Sequence, residues 1–237
     1  MAFDIGGYTL NNLYLNNLQQ NNPGIITTGL VLNLDASNLG SYSGSGTTWY
    51  DLSGTNNNGT LTNGPIYNSG ANGYFAFDNV NDYVTAPSSS SYAFGTGDFT
   101  VEVWIYPTSF SGYTHLIALP DQNTFGLKAA NGNGDLYFYS SSFTNYPTTG
   151  WRLTLNQWNH VVFTRSSSVA YPYLNGVGYA SKSGFTNNFS AQILNIHNGF
   201  VNEFTSCRIS VVRIYTLSLA AVQVTQNFEA YRGRYGI

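Results

Sequence analysis

The feature that most constrains this chain is a series of segments, in fixed order, in which apolar side chains recur at every second position. They occupy 74–84, 98–107, 157–163, 173–176 and 208–215. Successive side chains of a strand point to opposite faces, so this period predicts half-buried β-strands. Leu30, Leu32 and Leu34, alternating with Val31, Asn33 and Asp35, begin the series. In 98–107 both faces are largely apolar, with Val101, Val103 and Ile105 on one and Glu102, Trp104 and Tyr106 on the other. Trp158, His160 and Val162 against Val161 and Phe163 repeat that pattern. Such strands are central, with one side in the core and the other under a loop or facing a ligand. Asn63-Gly64-Pro65, Asn133-Gly134 and Asn175-Gly176 are turn signals, the last predicting a tight hairpin between Tyr173-Leu174 and Val177.

The period changes near the C-terminus. Leu217, Ala221, Val224 and Phe228 fall on one helical face, predicting one short surface helix with Ser218 as its N-cap. The ordered set of segments resembles the laminin-G-like, concanavalin-A-like lectin/glucanase β-sandwich family over 29–235. Two end motifs, Gly29-Leu30-Val31-Leu32-Asn33-Leu34-Asp35-Ala36 and Tyr231-Arg232-Gly233-Arg234-Tyr235-Gly236, resemble modules in structural proteins of tailed bacteriophages. The resemblance implies an all-β fold, an antiparallel two-sheet jelly-roll sandwich over 29–237 with an N-terminal arm over 1–28. It also implies a fold used more for holding ligands than for changing them, so function has to be argued from sites.

Charged residues make up 8% of the 237 residues, against about 25% in an average soluble domain. Aromatic residues, at 16%, supply a large core and exclude a disordered chain. A neutral, Tyr- and Asn-rich surface suits polyhydroxylated ligands or packing in many copies. The net charge of −3 hides an asymmetry: eight carboxylates and no Lys or Arg precede Lys128, and eight basic and three acidic residues follow from it. Either the two parts interleave and the charges mix, or the chain carries a dipole that favours head-to-tail contacts in a homo-oligomer or lattice. Without a basic patch, nucleic acid is excluded as a partner. Cys207 stands alone, excludes an intramolecular disulfide, and reads as a small buried hydrophobe. Met1-Ala2-Phe3-Asp4 opens without a basic n-region or a following long apolar stretch, so neither Sec export nor membrane insertion is expected. Release by lysis as part of a virion is one of the few routes left to a protein suited to extracellular work.

The arm repeats Leu10-Asn11-Asn12-Leu13-Tyr14 as Leu15-Asn16-Asn17-Leu18-Gln19 before the turn at Asn22-Pro23-Gly24. Leu10, Leu13, Tyr14 and Leu18 form an apolar stripe at helical spacing. That stripe needs a partner surface, either its own sandwich or a neighbouring subunit such as a major capsid or tail protein.

Glycoside hydrolysis needs two carboxylates about 5–10 Å apart. Glucanases that share this sandwich place acidic residues at alternate positions of one strand. Here Glu102, Glu203 and Glu229 are the only glutamates, and Glu102 alternates with Trp104 and Tyr106. No base neighbours Cys207, and His115, His160 and His197 lack metal-site spacing. No enzyme is expected and no cofactor. Calcium is the one metal the family resemblance leaves open, with Asp78, Asn81 and Asp82 as oxygen ligands. Asn79 stands there where the family usually has Gly, and the alternative is an Asx-stabilised turn. Glycan binding points to two aromatic-and-amide clusters, Asn145, Tyr146, Trp151 and Arg152 in an expected loop, and Trp49-Tyr50. The expected function is a non-enzymatic virion structural protein of a tailed phage, decorating capsid or tail through its arm and presenting a sandwich to host surface glycans. A carbohydrate-binding adhesin or tail-fibre receptor-binding module is the alternative, with a glycoside hydrolase disfavoured by the missing pair.

Overall fold

The computed structural model describes residues 3–5, 8–10, 24–119, 125–130, 132–140, 143–198 and 204–237. One sheet runs in the order β16 (Val177–Gly178), β15 (Val169–Leu174), β14 (Asn159–Ser166), β9 (Phe99–Pro107), β19 (Ser206–Tyr215), β7 (Tyr74–Asp78) and β6 (Ile66–Asn68). In the same sheet β17 (Lys182–Ser183) pairs with β15, and β3 (Leu30–Asp35) with β19. The second sheet runs β13 (Phe143–Arg152), β12 (Asp135–Ser140), β11 (Phe125–Ala129), β10 (Thr114–Leu119), β18 (Gln192–Ile196), β8 (Tyr83–Ser89), β5 (Gly59–Thr62) and β4 (Thr48–Trp49). Pairing throughout the two sheets is antiparallel. One helix, α1 (Ala221–Tyr235), follows β19. The chain is therefore an all-β, two-sheet sandwich with a C-terminal helix: alternation predicts its strands, and the two-sheet architecture is the one the family resemblance implies.

Alternation explains the core. Leu32, Leu34, Val101, Val103, Ile105, Val161 and Phe163 from the first sheet meet Leu61, Val84, Ile117, Phe125, Leu127, Phe138 and Ile196 from the second. Every one of these is nearly or fully buried, and each large side chain so removed from water contributes about 1.5–3 kcal/mol. Residues from both charge-asymmetric parts share each sheet, so the charges mix: Arg213 meets Glu102, and Arg234 meets Asp35.

The side of β9 carrying Glu102, Trp104 and Tyr106 lies under α1, which corrects the expectation of a loop or ligand there. Trp104 stacks on Tyr235 at 4.3 Å and His160 at 4.7 Å between centroids, with Val211, Trp158 and Phe228 completing the layer. The helix is also longer than its apolar spacing predicts and starts after Ser218. Its N-cap is Ala220, whose N–H donates to Gln223 Oε1, while Ser218 Oγ donates to Asp98 Oδ2. Gly236, at φ +71°, ends the helix in the left-handed region, behind Arg232 and Arg234 in the last turn.

Beneath α1 lies a buried polar cluster. Arg213 Nη1 donates to Glu102 Oε1 at 2.6 Å, and His160 Nε2 stands 3.2 Å from the same oxygen. Asn227 of α1 donates to Glu102 Oε2 at 2.7 Å, and Arg213 Nε to Asn33 Oδ1 of β3 at 3.1 Å. Burial alone would raise the Glu102 carboxyl, but Arg213, then His160 and Asn227, hold it down at about 2.

Ser210 forms a bulge in β19 against β9, and partners change there, from β7 before it to β3 after it. Its hydroxyl accepts from Tyr235 OH at 2.7 Å, tying the bulge to the helix end. The Asn175-Gly176 hairpin forms as its sequence predicts, with φ of +50° and +77°. A Cβ on Gly176 would stand 2.9 Å from Phe228, so the turn also admits the helix. Leu10 of the arm ends a short strand, Tyr8–Leu10, paired with Phe3–Ile5 and not helical, while Leu13, Tyr14 and Leu18 lie outside the described residues.

Removing one partner of the cluster strands a buried charge. Arg213→Met is expected to cost about 3–5 kcal/mol of unfolding free energy by denaturant titration, and Glu102→Leu/Arg213→Met less than either single change. The Glu102 pKa is below its unfolded value of about 4.3. Its stabilisation is therefore complete above that pH and is lost as pH falls toward about 2; in Glu102→Gln this acid-side loss should vanish.

Candidate ligand-binding site

Among the described residues, concavities lie on the outer face of each sheet. The first, about 250 Å³, lies on the outer face of the nine-stranded sheet beside the start of α1, lined by Thr164, Ser166, Tyr171, Tyr173, Ser218, Leu219 and Ala220. Tyr171 and Tyr173 alternate with Ala170 and Leu174, which point into the core, so the pleat puts both phenols outside. Register places Tyr171 opposite Thr164 and Tyr173 opposite Val162. The β14–β15 turn, Ser167-Ser168, has φ of +48° and +64° without glycine. Asp98 supports that conformation, its Oδ1 accepting Ser167 N–H at 2.8 Å.

Asp98 also orients the rim. Its Oδ2 accepts from Ser218 Oγ at 3.2 Å and Ser166 Oγ at 3.5 Å. The floor is fixed by Thr100, whose Oγ1 accepts Leu219 N–H and lies 2.9 Å from Leu217 O. Thr164 Oγ1 donates to Phe99 O at 3.1 Å. Burial and the neighbouring Tyr171 raise the Tyr173 phenol above its ordinary value, so it stays neutral. The result is two aromatic walls, an apolar floor at Leu219 and serine oxygens whose protons are turned away toward a carboxylate.

The second concavity, about 470 Å³, lies on the outer face of the eight-stranded sheet and is lined by Asn56, Asn58, Thr60, Thr62, Thr85 and Pro87. Register sets Thr48, Thr60, Thr85 and Asn195 side by side across four strands. The loop above it is organised by Asp51, whose carboxylate accepts from Asn33 N, Ser53 N and Asn57 N at 2.8, 2.9 and 3.0 Å. The groove is hydroxyl- and amide-rich but has no aromatic wall.

The glycan clusters read from sequence fare differently. Trp151 is fully buried, its Nε1 donating to Tyr173 O at 3.1 Å, so it supports the tyrosine wall from behind and offers no face to a sugar. The reason is that 143–152 is a strand, β13, and not a loop. Arg152 is exposed and paired with Asp135 at 2.6 Å. Asn145 and Tyr146 belong to β13, and their side chains are outside the described residues. Trp49 is fully buried against Phe75, while Tyr50 is 52% exposed. The missed residues are Tyr171, Tyr173, Asp98 and Ser218; the one signal was the Tyr-x-Tyr alternation, which core packing imitates.

At the calcium candidates Asp78, Asn81 and Asp82, Asp78 makes an Asx turn that Asp82 braces. Val80 N donates to Asp78 Oδ1 at 2.8 Å, and Asp82 Oδ2 accepts Asp78 N–H at 3.2 Å. Asn79 takes φ +68°, which asparagine tolerates in place of glycine. No group of three or more His, Cys, Asp or Glu able to hold a metal occurs among the described residues. Glu102 is sealed beneath α1, Glu229 pairs with Arg232, and Glu203 lies outside the described residues. Cys207 is buried, as its strand position predicts, and burial pushes its thiol up.

A family model described as concanavalin A-like lectin/glucanases superfamily, Laminin_G_3, matches residues 77–225. No curated protein sequence matches the chain. Among solved structures, the binding domain of Paraclostridial Mosquitocidal Protein 1 is 20% identical with a TM-score of 0.67, covering 86% of this chain and 52% of that one. Trypanosoma rangeli sialidase is 16% identical with a TM-score of 0.67, covering 87% and 33%. Domain 4 of AbnA, a GH43 extracellular arabinanase from Geobacillus stearothermophilus, in complex with arabinotriose, is 19% identical with a TM-score of 0.68, covering 84% and 97%. The chain thus spans about half the length of the first and a third of the second, and likenesses at this identity establish the fold alone.

Burial, then the nearby Asp78 carboxylate, raises Asp82 to about 6. A carboxyl raised above its unfolded value of about 3.9 favours folding as pH falls from about 6 toward 4 and opposes it above. Asp82→Asn should therefore gain about 1 kcal/mol at pH 8 and flatten the pH dependence between 4 and 6, read by denaturant titration at both ends.

Proposed function

The chain belongs to the Laminin_G_3 family of the concanavalin A-like lectin/glucanases superfamily, and on that premise we propose that it is a non-catalytic carbohydrate-binding module carried on the surface of a tailed-phage virion. The observation that carries the binding half is the tyrosine-walled, serine-rimmed concavity beside α1. Saccharide sites combine an apolar platform with a few placed polar groups, and this one has both. The non-catalytic half is supported by Glu102, which projects from the central strand yet is buried, ionised and held by Arg213. A carboxylate so held has neither the access nor the raised pKa that a general acid needs.

The virion half rests on sequence. The two end motifs resemble phage structural modules, the surface has few charges, and the arm carries the apolar positions Leu10, Leu13, Tyr14 and Leu18. In this reading the arm docks on a major capsid or tail protein in many copies, and the sandwich faces host surface glycans. Calcium has no part in it; calorimetric titration should show no calcium heat.

The full chain on an oligosaccharide array is expected to bind a subset of glycans and to release no new reducing ends from them. Immunogold labelling of particles in a lysate is expected to decorate head or tail regularly, and a chain lacking residues 1–28 to stay off the particle. Unlabelled particles would discard the virion half, and product release from the array sugars would discard the non-catalytic half.

A further inference from the structure

We propose that the concavity between Tyr171, Tyr173 and the linker before α1 holds a single neutral sugar ring, and that Asp98 makes it reject acidic sugars. This rests on the carbohydrate-binding reading and adds the site, its occupant and the group that sets its selectivity.

Size comes first. At about 250 Å³ the concavity lies just below the usual range for small-molecule pockets, about 300–1,000 Å³, which suits one ring and not a run of several. Shape comes next. Tyr171 is half-buried and Tyr173 is 8% exposed, so Tyr171 is the wall with the free face, and Tyr173 and Leu219 close the inner end. A pyranose has one face lined by C–H groups, which lies on such a ring while its hydroxyls point to the rim.

Polarity decides the rest. Ser218 Oγ and, at the longer distance of 3.5 Å, Ser166 Oγ direct their protons to Asp98 Oδ2. Their lone pairs then face the concavity as acceptors. Thr164 Oγ1 is already engaged, donating to Phe99 O and lying 2.9 Å from Thr100 Oγ1. The serine edge of the rim therefore receives hydrogen bonds, and the phenols of Tyr171 and Tyr173 are the walls' own donors. A polyol donates through every hydroxyl and fits; a sialic or uronic acid carboxylate meets acceptors backed by a carboxylate and is repelled. The second concavity lacks this arrangement: Asn56 and Asn58 bring amides, which both donate and accept, and no ring wall stands beside them.

The test uses the full chain, titrated calorimetrically with the strongest neutral oligosaccharide from an array that also carries sialylated and uronate-bearing glycans. Tyr171→Ala is expected to weaken neutral binding at least tenfold with an unchanged thermal midpoint, and Tyr171→Trp to preserve it. Asp98→Asn is expected to bring acidic glycans, rejected by the unaltered chain, onto the array. Thr60→Arg, which fills the other groove, is expected to leave binding unchanged. If the unaltered chain binds neutral sugars and Tyr171→Ala matches it within twofold, or if Thr60→Arg abolishes binding, the site is misplaced although the carbohydrate reading stands. If acidic glycans bind the unaltered chain best, the selectivity is wrong. If no saccharide binds at all, the carbohydrate reading fails, and this inference with it.

Discussion

The ion pair between Glu102 and Arg213 is the constraint on which the rest of this structure depends. Facing residues of the two central strands, β9 and β19, carry opposite charges at register partners, fully removed from water. Two buried charges cost several kcal/mol each unless paired and hydrogen-bonded. The molecule meets that cost by bringing Asn33 from β3, His160 from β14 and Asn227 from α1 to the same point. Register across four strands and the seat of the helix are thereby coupled to one electrostatic requirement.

Helix placement in turn divides the outer surface of that sheet. α1 covers Trp104, Trp158 and Val211 through Phe228 and Tyr235, and a second apolar group, Val162, Tyr215 and Leu219, packs under Val224. Further along β14 and β15 the helix has not yet begun, and the linker from Thr216 to Ala220 turns over the sheet. Asp98 and Thr100 clamp that linker to the start of β9. The concavity lies between the β14–β15 hairpin and the linker 216–220 that separates the end of β19 at Tyr215 from the start of α1 at Ala221. Glu102 within β9 and Asp98 just before that strand thus play opposite parts: one is neutralised and sealed, the other is left at a rim.

A second buried cation shows the same logic. Arg165 is fully buried, donates to the carbonyls of Gly95 and Asn187 at 2.9 and 2.7 Å, and packs over Phe99, Phe185 and Phe189. Burial lowers its pKa to about 10, which still leaves it a cation at neutral pH. It ties the 95–97 loop to Asn187, beside the isolated β-bridge between Gly95 and Phe189. In a chain with 8% charged residues, two of the cations, Arg165 and Arg213, are fully buried.

Period-two alternation, the Asn-Gly turn at 175–176 and the apolar helical spacing after Leu217 are local facts, and from them the sequence by itself determined an all-β sandwich ending in a helix. The fold was legible because alternation writes the two faces of each strand directly into residue order. The candidate site was not. Trp151 and Tyr171 are both strand aromatics, yet Trp151 is buried behind the sheet and Tyr171 walls a concavity, because strand parity and the covering helix decide which faces meet water. Asp98, Ser166 and Ser218 are far apart in the chain and converge only when β9, β14 and the linker are assembled. Glu102 and Trp104 gave an outer face that is apolar enough to need a cover, but only the tertiary structure decided that the cover is α1, since a single cover satisfies Glu102 through Asn227 and buries Trp104 at once.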